Sequence, residues 1–262
     1  LALTMLTASA HAEAGAESTL TIQHAQGLTT LTHVPKRVVV FDMAALDDLD
    51  ALGVEVVGIP DEVMPPYLTR YNDARYAKVG TLFEPDYEAL NRIKPDLIII
   101  GGRSSAKYEQ LTRIAPTLDM HEDNSQSIVT ALGNLEMLAK AFARESRAET
   151  LKASLKNTFE SAKSHAQQRG NGLIVLVTGG KISAYGPGSR FGLIHSALQL
   201  PAALPQLKPS LHGEAISPEL IMKANPDWLF VVDRDAAIGK HGAAHQVLDN
   251  PLVRRTPAWQ RQ

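Results

Sequence analysis

The chain has 262 residues, of which 44% are hydrophobic, 5% aromatic and 21% charged, with a formal net charge of −2 and no cysteine. That balance excludes nucleic acid as the main partner, excludes wholesale disorder and leaves no disulfide framework. No interior stretch has the length and apolarity of a membrane-spanning helix.

Residues 1–12 read as the second half of a secretory signal, an apolar run followed by the small-x-small site Ala10-His11-Ala12. Export to the periplasm with cleavage of that signal is expected. With no cysteine to carry a lipid, a freely diffusing protein is expected rather than a tethered one. A polar leader follows, with a short strand pair around Leu20-Thr21-Ile22 and Thr30-Leu31-Thr32. Val38-Val39-Val40-Phe41-Asp42 is a strand bounded by Pro35. Residues 43–52 have helical spacing and stop at Gly53, and residues 54–59 form the next strand, closed by Pro60. A short helix over 86–93 breaks before Pro95, and 96–100 is a wholly apolar strand, as a buried parallel sheet requires. Strands alternating with helices indicate α/β architecture.

From 127 to 168 the strand signals vanish. Leu132, Leu135, Leu138 and Ala139 give one apolar stripe, and Leu151, Leu155, Phe159 and Ala162 give a second that stops at Gly170. The second stripe predicts one long helix, a stiff connector between two α/β halves. Alternation restarts with the strand 173–178. The expected division is a signal remnant over 1–12, a first lobe over 13–141, the connecting helix over 142–169 and a second lobe over 170–262. That second lobe is expected to be incomplete at its C-terminal end. A local pattern recurs in both halves: Glu88, a short helix, Pro95-Asp96 and a buried strand, against Glu219, a short helix, Pro226-Asp227 and a buried strand.

Three arginines stand at the carboxyl ends of apolar strands, where ligands sit in α/β proteins. Arg103 follows Gly101-Gly102, Arg190 follows Gly186-Pro187-Gly188-Ser189, and Arg234 follows Asp233. Arginine stays charged, offers five donors in a plane and stacks on aromatic faces, so an anionic ligand between the lobes is indicated. Gly179-Gly180 reads as a hairpin turn rather than a phosphate cradle, because neither glycine run has Walker or Rossmann spacing. The run 191–198 reads as a helix whose N-terminus lies beside Arg190 and would reinforce anion binding. His212 lies on a loop that Gly213 lets bend sharply. His195 is expected to be packed rather than ligating. His241 and His245 have i, i+4 spacing but lack the glutamate of a zincin motif. Asp47, Asp48 and Asp50 are expected to form a solvated helix face. No nucleophile elbow, catalytic cysteine or compact triad is present, so no catalytic residue and no enzyme activity are expected.

On Gly101-Gly102-Arg103, the following Ile114-Ala115-Pro116-Thr117, the run from Ser183 to Gly192 and Val231-Val232-Asp233-Arg234, the chain resembles the periplasmic ferric-siderophore binding proteins of ABC importers. The similarity is greatest to the branch that binds catecholate and related complexes. The resemblance implies the class III binding-protein fold, two Rossmann-like lobes joined by one long α-helix. It implies that Arg103, Arg190 and Arg234 line the cleft and hold a ferric siderophore, the transported ligand, with no covalent cofactor. It implies that His212 can supply an imidazole to iron, paired in the family with a Tyr in a closing segment that lies beyond Gln262. It implies that Glu88 and Glu219 dock on the arginines of a two-fold permease dimer, and a monomer is expected. Haem, a corrinoid, another metal chelate or a bare metal held by His are the alternative cargoes. Few aromatic residues disfavour haem and corrinoids. An α/β enzyme using a glycine loop as an anion cradle is the remaining alternative.

Overall fold

The computed structural model describes residues 19–121, 127–166 and 169–261. The signal reading of residues 1–12 lies outside them. A β-hairpin opens the described chain, β1 (Leu20–His24) and β2 (Gly27–Leu31). Then follow β3 (Val38–Val40), α1 (Met43–Leu52), β4 (Gly58–Ile59), β5 (Ala77–Lys78), α2 (Tyr87–Ile93), β6 (Leu97–Ile100), α3 (Tyr108–Leu111) and β7 (Thr117–Asp119). Two helices, α4 (Ser127–Ala141) and α5 (Glu145–Ala166), precede β8 (Gly172–Thr178), β9 (Lys181–Tyr185), α6 (Leu193–Ala197) and β10 (Glu214–Ala215). The remainder comprises α7 (Pro218–Ala224), β11 (Trp228–Asp233), α8 (Arg234–Ala237), α9 (Ala244–Leu248) and α10 (Pro257–Gln260).

The first sheet is parallel throughout, in the order β5-β4-β3-β6-β7. Its strands are buried on both faces because side chains alternate across the sheet. Val38, Val40, Leu97 and Ile99 enter one core with α1 and α4, while Val39, Phe41, Ile98 and Ile100 enter another with α2 and α3. Each fully buried aliphatic side chain contributes about 1.5–3 kcal/mol of transfer free energy. The hairpin covers the outer edge of β7: the Ala25 N–H donates to the Asp119 carbonyl at 3.3 Å, and the Thr29 hydroxyl donates to the Thr117 carbonyl at 2.8 Å.

The second sheet has the order β10-β9-β8-β11, with only the β8–β11 pair parallel. Gly179 and Gly180 make the β8–β9 turn at φ 54° and 78°, as expected of a two-residue hairpin. Val175 and Val177 face α7 and α9, while Ile174, Leu176 and Tyr185 face Phe191 and Ile194. The first half of α5 packs on α1 and α4, with Lys152 paired to Glu136 and the Arg147 guanidinium on the Ala51 carbonyl. Its last turn, at Ala162 and Ala166, faces Leu198, Leu200 and Phe230 of the second sheet's lobe.

Three sequence expectations are corrected. The strand over 54–59 is confined to Gly58–Ile59; Val54 and Val56 are apolar because they enter the α1 core, not because they pair. The helix over 191–198 is only Leu193–Ala197, since Phe191 is drawn into the core and Gly192 ends a turn begun at Ser189. Arg190 therefore precedes a five-residue helix, whose dipole adds little. Asp50 is not part of a free acidic face: it accepts the Tyr71 hydroxyl at 3.0 Å and pairs with Arg70.

Candidate functional site

Arg103 is presented by the turn that ends β6. The Ser104 N–H donates to the Gly101 carbonyl at 2.9 Å, and the Ser105 hydroxyl donates to the same oxygen at 3.1 Å. The turn is crowded on two sides: a Cβ on Gly102 would stand 2.9 Å from His121 Nδ1, and one on Gly101 would run into Asp42. Arg103 itself is exposed, its guanidinium carbon 5.1 Å from the centre of the Phe83 ring. Asp42 caps α1, accepting the Ala45 N–H at 2.9 Å. Burial raises its carboxyl above the usual carboxylate range, and the nearby Arg103 charge opposes that rise. Asp119, at the end of β7, is buried; its Oδ2 accepts from the Gln26 amide at 3.0 Å, and its Oδ1 has no partner among the described residues.

Arg190 and His212 are carried by two loops joined backbone to backbone. The Arg190 N–H donates to the Ser210 carbonyl at 3.2 Å, and the Ser210 N–H donates to the Ser189 hydroxyl at 3.1 Å. The Ser210 hydroxyl then accepts both the His212 and Gly213 N–H groups, each at 3.1 Å. Gly213 has φ 74°, and a Cβ there would lie 2.8 Å from the Tyr185 ring, so the sharp bend expected after His212 is built on glycine. His212 and Arg190 are both exposed, and the Arg190 guanidinium carbon lies 5.1 Å from the Phe191 ring centre.

Arg234 is the first residue of α8, directly after the cap Asp233, whose carboxylate accepts the Ala236 and Ala244 N–H groups at 3.0 Å each. Asp235 anchors α8 to the β8–β9 turn by accepting from the Thr178 hydroxyl at 3.1 Å and the Gly179 N–H at 2.8 Å. These bonds, the Gly179 one foremost, lower the Asp235 carboxyl below its ordinary range. Arg103, Arg190 and Arg234 make no ion pair among the described residues. Glu88 and Glu219 are exposed in the first turns of α2 and α7. The Ser217 hydroxyl bonds the Glu219 carboxylate and lowers it.

The two lobes approach where α4 meets α6, and where the loop before α9 meets the first lobe: a Cβ on Gly239 would lie 2.8 Å from Val63. The structure thus links Arg190 to His212 through Ser210, and sets Arg103 and Arg234 at the carboxyl ends of strands in different lobes; the expectation that Arg190 shares such a strand end is corrected, because β9 runs antiparallel to β8 and β11 and its end points the other way. Three grooves of about 430–450 Å³ lie along β11 and along α5, and none of these three is lined by these residues. Among the described residues no group of three or more His, Asp or Glu side chains is placed to hold a metal ion. His195 is packed as expected, its Nδ1 2.9 Å from the Leu200 carbonyl. Phe83 was not legible as a site residue, because a lone aromatic in a polar loop has no periodicity to mark it.

A doubly wound parallel sheet, a second mixed sheet and a long intervening helix define a two-lobed binding protein of class III. Residues 38–262 match the family model described as periplasmic binding protein, and the chain belongs to that family. Its members bind substrates for transport and are not enzymes. The petrobactin-binding protein YclQ of Bacillus subtilis is 40% identical over 227 residues, covering 86% of this chain and 72% of its own. The crystal structure of that protein superposes with a TM-score of 0.89 at 38% identity, over 93% of this chain and 87% of its own. The ferric-anguibactin-binding protein FatB of Vibrio anguillarum is 30% identical over 93% of this chain and 78% of its own. The periplasmic catecholate-siderophore binding protein VctP of Vibrio cholerae has a TM-score of 0.85 at 36% identity, over 93% and 89% of the two chains.

Proposed function

We propose that this protein captures an anionic ferric siderophore between its lobes and delivers it to an ABC permease. The observation that carries this is the set of guanidinium groups without an ion pair among the described residues: Arg103 and Arg234 just past the carboxyl ends of β6 and β11, in different lobes, and Arg190 on the loop after β9, which runs antiparallel to β11. Low-dielectric walls focus the field of such charges, and a deprotonated catecholate complex offers them both oxygens and flat rings. Relatives named for petrobactin, anguibactin and catecholate siderophores support the same cargo. Iron arrives already chelated, and His212, beside Arg190, supplies an imidazole where the chelator leaves coordination sites open. The lobes span residues 13–141 and 170–262, joined by 142–169. The protein works as a monomer in the periplasm after loss of its signal, and Glu88 and Glu219 engage matching arginines on the two permease subunits.

Titration of a ferric bis-catecholate against the fluorescence of Trp228 and Trp259 tests this. Arg190→Ala should lower affinity at least about tenfold, the worth of a charge-assisted hydrogen bond. Glu88→Ala should bind normally and support reduced uptake in cells. Unchanged affinity in Arg190→Ala would overturn the site.

A further inference from the structure

Phe83 is 51% exposed, yet its position is tightly determined. The Thr81 hydroxyl accepts the N–H groups of Phe83 and Glu84 at 3.2 and 3.0 Å, and the Thr81 N–H returns to the Glu84 carbonyl at 2.9 Å. Gly80 pairs with Pro85 at a φ of 105°, a backbone that side chains rarely adopt. Two struts join this loop to the turn after β6: the Arg103 guanidinium over the Phe83 ring, and a 2.8 Å ion pair between Lys107 and Glu84. A large apolar side chain left half in water on a rigid loop buries too little to serve the core. What it offers is a flat, electron-rich face under a cation.

Resting on the siderophore reading above, we propose that Phe83 is a positioning residue for Arg103: its ring fixes the guanidinium plane so that the far face and edge donors meet a planar, anionic arm of the ligand. Arg190 has the same arrangement with Phe191, which is itself braced edge-on against Tyr185 at 4.8 Å. Arg234 has no ring contact among the described residues. Of the three arginines of the proposed site, one in each lobe is thus ring-backed, which suits a chelate with two flat aromatic arms. A preset guanidinium loses less freedom on binding, so the ring improves affinity through Arg103 without touching the ligand.

Phe83→Leu removes the ring from an exposed position. It should weaken binding of a ferric bis-catecholate about two- to fivefold, the size of an exposed cation–π contact. Phe83→Tyr should keep wild-type affinity. In an Arg103→Ala background, Phe83→Leu should cost nothing further. An undiminished loss there, or wild-type affinity in Phe83→Leu, would overturn the proposal. A ligand-free measurement decides the same point: the Arg103 Nε–H resonance should be ring-shifted upfield in the wild type and move downfield in Phe83→Leu, and no movement would overturn the stacking role. If the wild type binds no ferric chelate, the siderophore reading fails while the resonance still tests Phe83.

Discussion

In the first lobe α2, the Pro95-Asp96 turn and β6 lead to Arg103; in the second, α7, the Pro226-Asp227 turn and β11 lead to Arg234. Glu88 precedes its arginine by fifteen residues, and Glu219 does the same. Both helices end in a left-handed residue that is not glycine, Lys94 at φ 51° and Asn225 at φ 47°. Both turn aspartates grip the entry to the neighbouring strand. Asp96 accepts the Lys36 and Arg37 N–H groups at 2.8 and 2.7 Å, and Asp227 accepts the Asn171 N–H at 3.1 Å. The surroundings differ. β6 lies between β3 and β7 and is wholly buried, whereas β11 pairs only with β8 among the described residues and leaves Val231 43% exposed. One module thus places a glutamate at one end and an arginine at the other in both lobes, although the strands' neighbours differ among the described residues.

The strongest way to break this comparison is at the strands. Ile99→Ala should cost about 3 kcal/mol in urea unfolding, because it empties a sealed core. Val231→Ala should cost about 0.5 kcal/mol. Equal losses would mean that the β11 edge is covered in solution. Next come the aspartate grips. Asp96→Ala loses two charge-assisted bonds and should cost about 2 kcal/mol, against about 1 kcal/mol for Asp227→Ala. Hydrogen exchange should quicken at Lys36 and Arg37 in the first variant and at Asn171 in the second. A reversed order would show that the two turns are not equivalent.

The smallest effect concerns the hairpin, which has no counterpart in the second lobe among the described residues. His24 Nδ1 accepts the Gln26 and Asp119 N–H groups at 3.2 and 3.4 Å, so its proton sits on Nε2, 2.9 Å from the Thr29 hydroxyl. Burial holds its pKa below 6.5, and the Asp119 charge partly offsets that. The unfolded chain therefore binds the proton more readily, and stability from neutral His24 falls as pH drops through 6.5 towards the folded value. Amide exchange in β1 and β2 should rise over that interval while β8 stays protected. A His24→Gln variant should lose the pH dependence, and its persistence would assign the effect elsewhere.

Much of this was readable in the chain. The short apolar run 97–100, β-branched and bounded by Pro95 and Gly101, reads as a strand buried on both faces, and Gly53 and Gly179-Gly180 declare their own turns. The run 54–59 misled because alternating valines look alike whether they pair in a sheet or plug a helix core. Although β9 runs antiparallel and turns its end away from that of β11, the arginines were found because each lies within five residues of a strand's end. Phe83 and the Ser189–Ser210 junction were not, because each depends on a contact across about twenty residues that no local pattern encodes.

Gly213 separates two demands on one loop. Its left-handed backbone and the Tyr185 ring behind it admit no side chain, while its neighbour His212 projects outward and supports nothing beneath it. Exchange at 212 leaves the framework intact, whereas exchange at 213 dislodges the strip that also carries Arg190. Under the siderophore function proposed above, a change of chelator can therefore be met at a single exposed position without a compensating change in the scaffold.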